Sequence, residues 1–147
     1  MKKVLLVILV VFVVIQFIPV DRTNPESIPD NDFLWVEEVP DELGHIFKSA
    51  CYDCHSVYSR YPWYARIAPV SWIVQHHIND GRDELNFSNW KEYSVKKRLH
   101  KLDECYELVG EGEMPLKLYQ LAHEDAQLSS EQRELLTNWL LTRIKSY

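Results

Sequence analysis

Cys51-Tyr52-Asp53-Cys54-His55 decides how the rest of this chain reads. It is a C-x-x-C-H pentapeptide, the pattern for covalent attachment of a c-type haem. Two thiols add across the two porphyrin vinyl groups, and the two intervening residues let one short turn present both sulfurs to one face. The adjoining His55 then reaches the iron as proximal ligand. Two other chemistries use C-x-x-C. A zinc site needs a second ligand pair at similar spacing, and only Cys105 and scattered histidines remain. A redox dithiol favours a preceding strand, whereas the residues before Cys51 carry a helical pattern. Covalent haem ranks first, zinc second and a dithiol third.

Upstream, Leu43, Ile46, Phe47 and Ala50 fall at i, i+3, i+4 and i+7, which predicts a helix over 41–51 with one apolar face. Asp41 and Glu42 suit its positive end. Gly44 lowers helix propensity, so its place suggests close approach by another helix. Downstream, Ser56 to Ala68 is loop-like and aromatic, with Tyr58, Tyr61, Trp63 and Tyr64. Pro69 suits the first turn of a helix running to about Asn79, with Gly81 as its stop. Asn86 to Val109 is the longest helical candidate, striped by Val95, Leu99, Leu102, Tyr106 and Val109. Cys105, beside that stripe, reads as a small buried hydrophobe, and Lys96, Lys97, Arg98 and Lys101 as a solvated face. Gly110 to Gln127 is irregular. Ser129 and Gln132 have the spacing of a capping box, opening a last helix whose Leu135, Leu136, Trp139, Leu140 and Ile144 face inward.

At the other end, Met1-Lys2-Lys3 precedes Val4 to Val20, apolar except for Gln16. Seventeen helical residues reach about 25 Å, just short of a hydrocarbon core. A cleaved signal peptide needs small residues at its cleavage site, and Phe17-Ile18-Pro19-Val20-Asp21-Arg22 offers none. An uncleaved membrane anchor over 1–20 is therefore expected, Lys2 and Lys3 on the cytoplasmic side. Covalent haem is assembled across that membrane in bacteria. The expected location is thus the bacterial inner membrane, single-pass, with the haem domain periplasmic. Residues 21–40 hold Pro25, Pro29 and Pro40, six acidic residues and one basic one, a composition that predicts an extended tether. Phe33, Leu34 and Trp35 are its candidates for docking on the domain, which is expected over 41–147. The 147 residues suffice for one such domain plus an anchor.

The formal charge is −6, and beyond the two leading lysines 14 basic residues face 22 acidic ones. Such a balance argues against nucleic acid and suits a basic redox partner protein near the membrane. What fills the sixth position on the iron decides between electron transfer and catalysis. Met114 is the first choice. It is the only methionine after Met1 and sits in Gly112-Glu113-Met114-Pro115-Leu116, a loop where core filling does not explain it. His77 and His76 are the alternatives. His100, His123 and His45 lack supporting context.

Together these residues resemble a small haem-binding domain family related to class I c-type cytochromes. The resemblance runs from about residue 35 to the C-terminus. It rests on the pentapeptide, Tyr61-Pro62-Trp63-Tyr64-Ala65, Ile67-Ala68-Pro69-Val70-Ser71-Trp72, Leu85-Asn86-Phe87-Ser88 and Glu113-Met114-Pro115-Leu116, in that order. It implies a mostly α, cytochrome c-like domain around one covalent haem c. Within that fold, Phe47 matches the aromatic four residues before the first haem cysteine, Gly44 a helix crossing point and Trp139 the facing aromatic. Met114, 59 residues after His55, matches the His-to-Met separation. The expected role is single-haem electron transfer with His55 and Met114 as axial ligands, a carrier rather than an enzyme. The rival reading is a peroxidase-like or ligand-sensing haem with a labile sixth position.

Overall fold

The computed structural model describes residues 1–147 and contains eight α-helices with short 3-10 turns between them. They are α1 Lys2–Ile15, α2 Phe33–Val36, α3 Asp41–Ala50, α4 Tyr52–His55, α5 Val70–Glu84, α6 Val95–Glu111, α7 Lys117–Ala122 and α8 Ser130–Lys145. The main helix pair is α6 against α8, with α3 laid across α8 and α4 against α5. Leu43, Ile46 and Phe47 of α3 bury as their spacing predicts, against Leu102 and Val109 of α6 and Leu136 and Leu140 of α8. Phe47 meets Trp139 edge-on at 6.0 Å, the aromatic crossing anticipated from the sequence. The capping box at Ser129 is formed in both directions: Gln132 N donates to Ser129 Oγ at 3.1 Å, and Ser129 N to Gln132 Oε1 at 2.9 Å.

Several boundaries differ from the sequence reading. The 86–109 stretch is two elements. Phe87 and Trp90 are both fully buried, and a 3-10 turn over Phe87–Glu92 points both rings inward. A fresh helix then starts at Val95, where Ser94 Oγ accepts from Lys97 N. Helix α5 passes straight through Gly81 to Glu84. Gly81 is kept for another reason, since an added Cβ would lie 2.8 Å from the Cys54 carbonyl oxygen. Gly44, expected at a tight crossing, has nothing within 4 Å of an added Cβ.

The N-terminal segment also differs. Helix α1 ends at Ile15, and no helix of the protein is long and apolar enough to cross a membrane by itself. The seventeen-residue anchor helix is thus shortened to 14 residues, about 21 Å. The cause is Gln16. Its amide pairs with the domain, Nε2 donating to Ala68 O at 3.0 Å and Oε1 accepting from Ala68 N at 2.9 Å. Residues 21–32 run along the domain surface. Asn24 Nδ2 donates to Ser59 O at 3.0 Å, Arg82 Nη2 to Asn24 Oδ1 at 3.0 Å, and Ser27 Oγ lies 2.7 Å from the Tyr58 hydroxyl. Phe33 then enters the core between Phe47, Phe87 and Trp90, while Trp35 stays exposed.

Candidate functional site

Helix α3 ends at Ala50, and Cys51 caps a single turn, α4, that carries the remainder of the pentapeptide. Cys51, Cys54 and Cys105 are free thiols. All three line one cavity of about 340 Å³, together with His55, His77, Met114 and an apolar wall that includes Phe47, Leu85, Phe87, Leu108, Val109 and Leu140. That volume lies in the range of about 300–1,000 Å³ for cofactor pockets. Burial pushes the Cys54 thiol up to about 11 and the Cys105 thiol up to about 12, and raises Cys51 further still. All three are protonated at neutral pH.

His55 is aimed by backbone alone. Its Nδ1 lies 2.9 Å from Gly81 O and 3.1 Å from Leu85 O. Carbonyls only accept, so Nδ1 carries the proton and Nε2 keeps its lone pair for a metal. Burial lowers the pKa of the ring, outweighing the two carbonyl bonds, so the imidazole is neutral as a ligand must be. Phe87 meets the ring edge-on at 6.2 Å. The absence of a side chain at Gly81 is what lets this turn of α5 sit against the Cys54 backbone.

Asp53, between the two cysteines, was not foreseen as a site residue. It is buried, and it fastens the pentapeptide to two distant segments. Arg60 donates to Oδ1 from its backbone N at 2.9 Å and from Nε at 3.1 Å, and to Oδ2 from Nη2 at 3.2 Å. Tyr119 of α7 donates its hydroxyl to Oδ2 at 2.7 Å. Arg82 reaches Ser56 O at 2.8 Å and Ser59 Oγ at 2.9 Å. An acidic residue inside a cysteine pair, followed by an arginine seven positions on, was the signal in the sequence.

Met114 is half-buried in the cavity wall and packs on the hydrophobic core. Its backbone is tied at both ends: N donates to Leu108 O at 3.1 Å, and O accepts from Arg133 Nη1 at 3.3 Å. His77 shares the wall. His76 does not; it is exposed and pairs with Asp80 at 3.2 Å. His123, which lacked supporting context in the sequence, is half-buried, stacked on Tyr119 at 4.2 Å with its Nε2 2.6 Å from the Tyr64 hydroxyl. Lys101 belongs to the pocket rather than to a solvated face: it is buried and its Nζ bonds Glu104 at 2.7 Å.

The donor set fits a haem better than a bare ion. No group of three or more His, Cys, Asp or Glu side chains is arranged to hold a metal ion. A zinc site built on this cysteine pair therefore has no second half. Two thiols and a free imidazole nitrogen border a largely apolar cavity, as a flat apolar cofactor with one central metal requires. Residues 10–142 match the family model described as a haem-binding domain. No curated protein and no solved structure matches the chain.

Proposed function

Because the chain belongs to the haem-binding domain family, we propose that it is a single-haem c-type electron carrier rather than an enzyme. Cys51 and Cys54 would hold the haem through thioethers, and the His55 Nε2 and the Met114 sulfur would bind its iron. The observation that carries this reading is the double carbonyl hold on His55 Nδ1, beside both thiols in an apolar cavity. Bound there, haem supplies a one-electron iron couple. The protein's part is to hold the ligands still and keep water away. The Asp53 hydrogen bonds fix the pentapeptide, the Leu108 and Arg133 contacts fix the Met114 backbone, and Phe47, Phe87 and Leu140 exclude solvent.

The fitting partner is a basic redox protein, given the net charge of −6. The fitting location is the bacterial inner membrane, with α1 in the bilayer and the haem domain on the periplasmic side. A peroxidase-like role requires an open or labile sixth position, and a ligand-sensing role requires Met114 to yield to a small ligand, which rapid carbon monoxide binding to the reduced protein would show. Absorption and low-temperature electron paramagnetic resonance of the haem-loaded chain separate the electron carrier from the peroxidase-like reading. The expected result is a low-spin iron with sulfur ligation, lost in Met114→Ala. A high-spin ferric spectrum that Met114→Ala leaves unchanged would remove the electron-carrier reading.

A further inference from the structure

The apolar helix α1 is neither amphipathic nor free of the domain. Every residue from Val4 to Val14 is exposed, and the helix is apolar all round. A protein partner covers one stripe of a helix, whereas a helix apolar on every side calls for an apolar solvent around it. At about 21 Å it falls short of a hydrocarbon core of about 30 Å.

What lies at its C-terminal end makes up the difference. Gln16 and Ala68 exchange both of their hydrogen bonds, and Trp72 Nε1 donates to Ile18 O at 3.4 Å. Around Ala68 stand Trp63, Ile67, Val70 and Ile73, exposed by 75, 37, 40 and 46 %, beside Phe17 at 82 % and Ile18 at 55 %. Charge follows the same division. The chain has 22 acidic residues, and none lies in 1–20 or in 54–79, the two stretches that these bonds join. Arg60 and Arg66 are the only charged residues of the second stretch, histidines apart. Arg60 is held by Asp53 and lies 3.9 Å from Asp125 at the edge of the patch, whereas tryptophan beside Arg66, in a stretch with no acidic residue of its own, is the composition of a membrane–water interface.

We propose that Trp63, Ile67, Val70 and Ile73 form a foot that sinks into the interface of a lipid bilayer. The foot makes up the reach that α1 lacks and fixes the domain's orientation. This rests on the membrane reading of α1 given above. The domain does not swing on a tether, because Gln16 locks helix to foot and Asn24, Ser27 and Asp32 hold the following segment down. Helix α5 starts in the foot at Val70 and reaches the cavity wall at His77 and Glu84. At 1.5 Å per residue it sets the cavity about 10–20 Å along its axis from the foot. The pocket is thereby presented to partners at a constant height.

The test uses the full chain in phosphatidylcholine/phosphatidylglycerol vesicles. These contain a phosphatidylcholine with a diazirine near the glycerol end of its acyl chain, and adducts are mapped by mass spectrometry after trypsin. Adducts are expected both in α1 and in the peptides covering Tyr61–Arg82. In Gln16→Leu, which keeps α1 apolar, the α1 adducts persist while those in Tyr61–Arg82 fall at least several-fold. Adducts confined to α1 in the native chain overturn the foot and leave the membrane reading standing. Adducts in neither place, with protein that does not float with vesicles, overturn both. Undiminished labelling of Tyr61–Arg82 in Gln16→Leu overturns the lock.

Discussion

At the scale of single residues, the site depends on one missing methyl group and one carboxylate. Gly81→Ala brings a Cβ to 2.8 Å from the Cys54 carbonyl oxygen, backbone that has no rotamer with which to yield. Such overpacking costs about 1–3 kcal/mol, and the urea midpoint of the variant should fall accordingly. Gly44→Ala is the internal control. Nothing stands within 4 Å of its added methyl, and removing a mid-helix glycine should stabilise by about 0.5–1 kcal/mol. Cys51, Cys54 and His55 stand out in the sequence because covalent haem attachment needs fixed spacing along the chain, and the structure sets all three on one cavity wall. The tie between Asp53 and Tyr119 was not legible there, because it joins segments that meet only in space. Tyr119 lies 66 positions from the carboxylate it bonds. Gly81 makes the close approach expected of Gly44 for the same reason: propensity marks a glycine as unusual but not which neighbour approaches it.

At the scale of elements, periodicity carried the reading where one face of a helix is buried. Helix α3 and the capped start of α8 follow from the spacing, while the Phe47–Trp139 contact is the one the family resemblance implies. Periodicity failed across 86–109, where the 3-10 turn and the helix both bury apolar side chains and the Ser94 cap marks the break. The segment before α3 holds the other surprise, Glu37, whose side chain is wholly buried. It accepts from Trp90 Nε1 at 2.6 Å and Arg143 Nε at 2.5 Å, and from the Tyr147 hydroxyl. This clasp ties the C-terminal end of α8 to the chain beyond α2. Burial pushes the carboxyl up, but the Tyr147, Arg143 and Trp90 bonds outweigh it and hold the group below its ordinary 4.5. The unfolded chain therefore takes up this proton first as pH falls. Its stabilisation is complete above about pH 4.5 and is lost as pH drops through the lower folded value. Urea midpoints measured from pH 7 downward should decline below that point, and Glu37→Gln should show a shallower acid limb. Equal limbs would mean that the clasp does not hold the carboxylate charged.

At the scale of the whole molecule, an acidic helical domain holds a cavity whose wall carries three thiols, an imidazole aimed by backbone carbonyls and a thioether. The N-terminal stretch was legible as apolar but not as docked. A single glutamine in such a run reads as a tolerated polar residue, and its partner Ala68 stands 52 positions away. The central claim is that the cavity holds haem through Cys51 and Cys54. The direct measurement is acid-acetone extraction of the full chain, matured in cells that carry the haem c assembly machinery. Absorption is then read on both the precipitated protein and the acetone phase. The account predicts that the haem stays with the polypeptide, and that in Cys51→Ala/Cys54→Ala whatever haem is bound passes into the acetone. Native protein that surrenders its haem to acetone, or carries none, would contradict it.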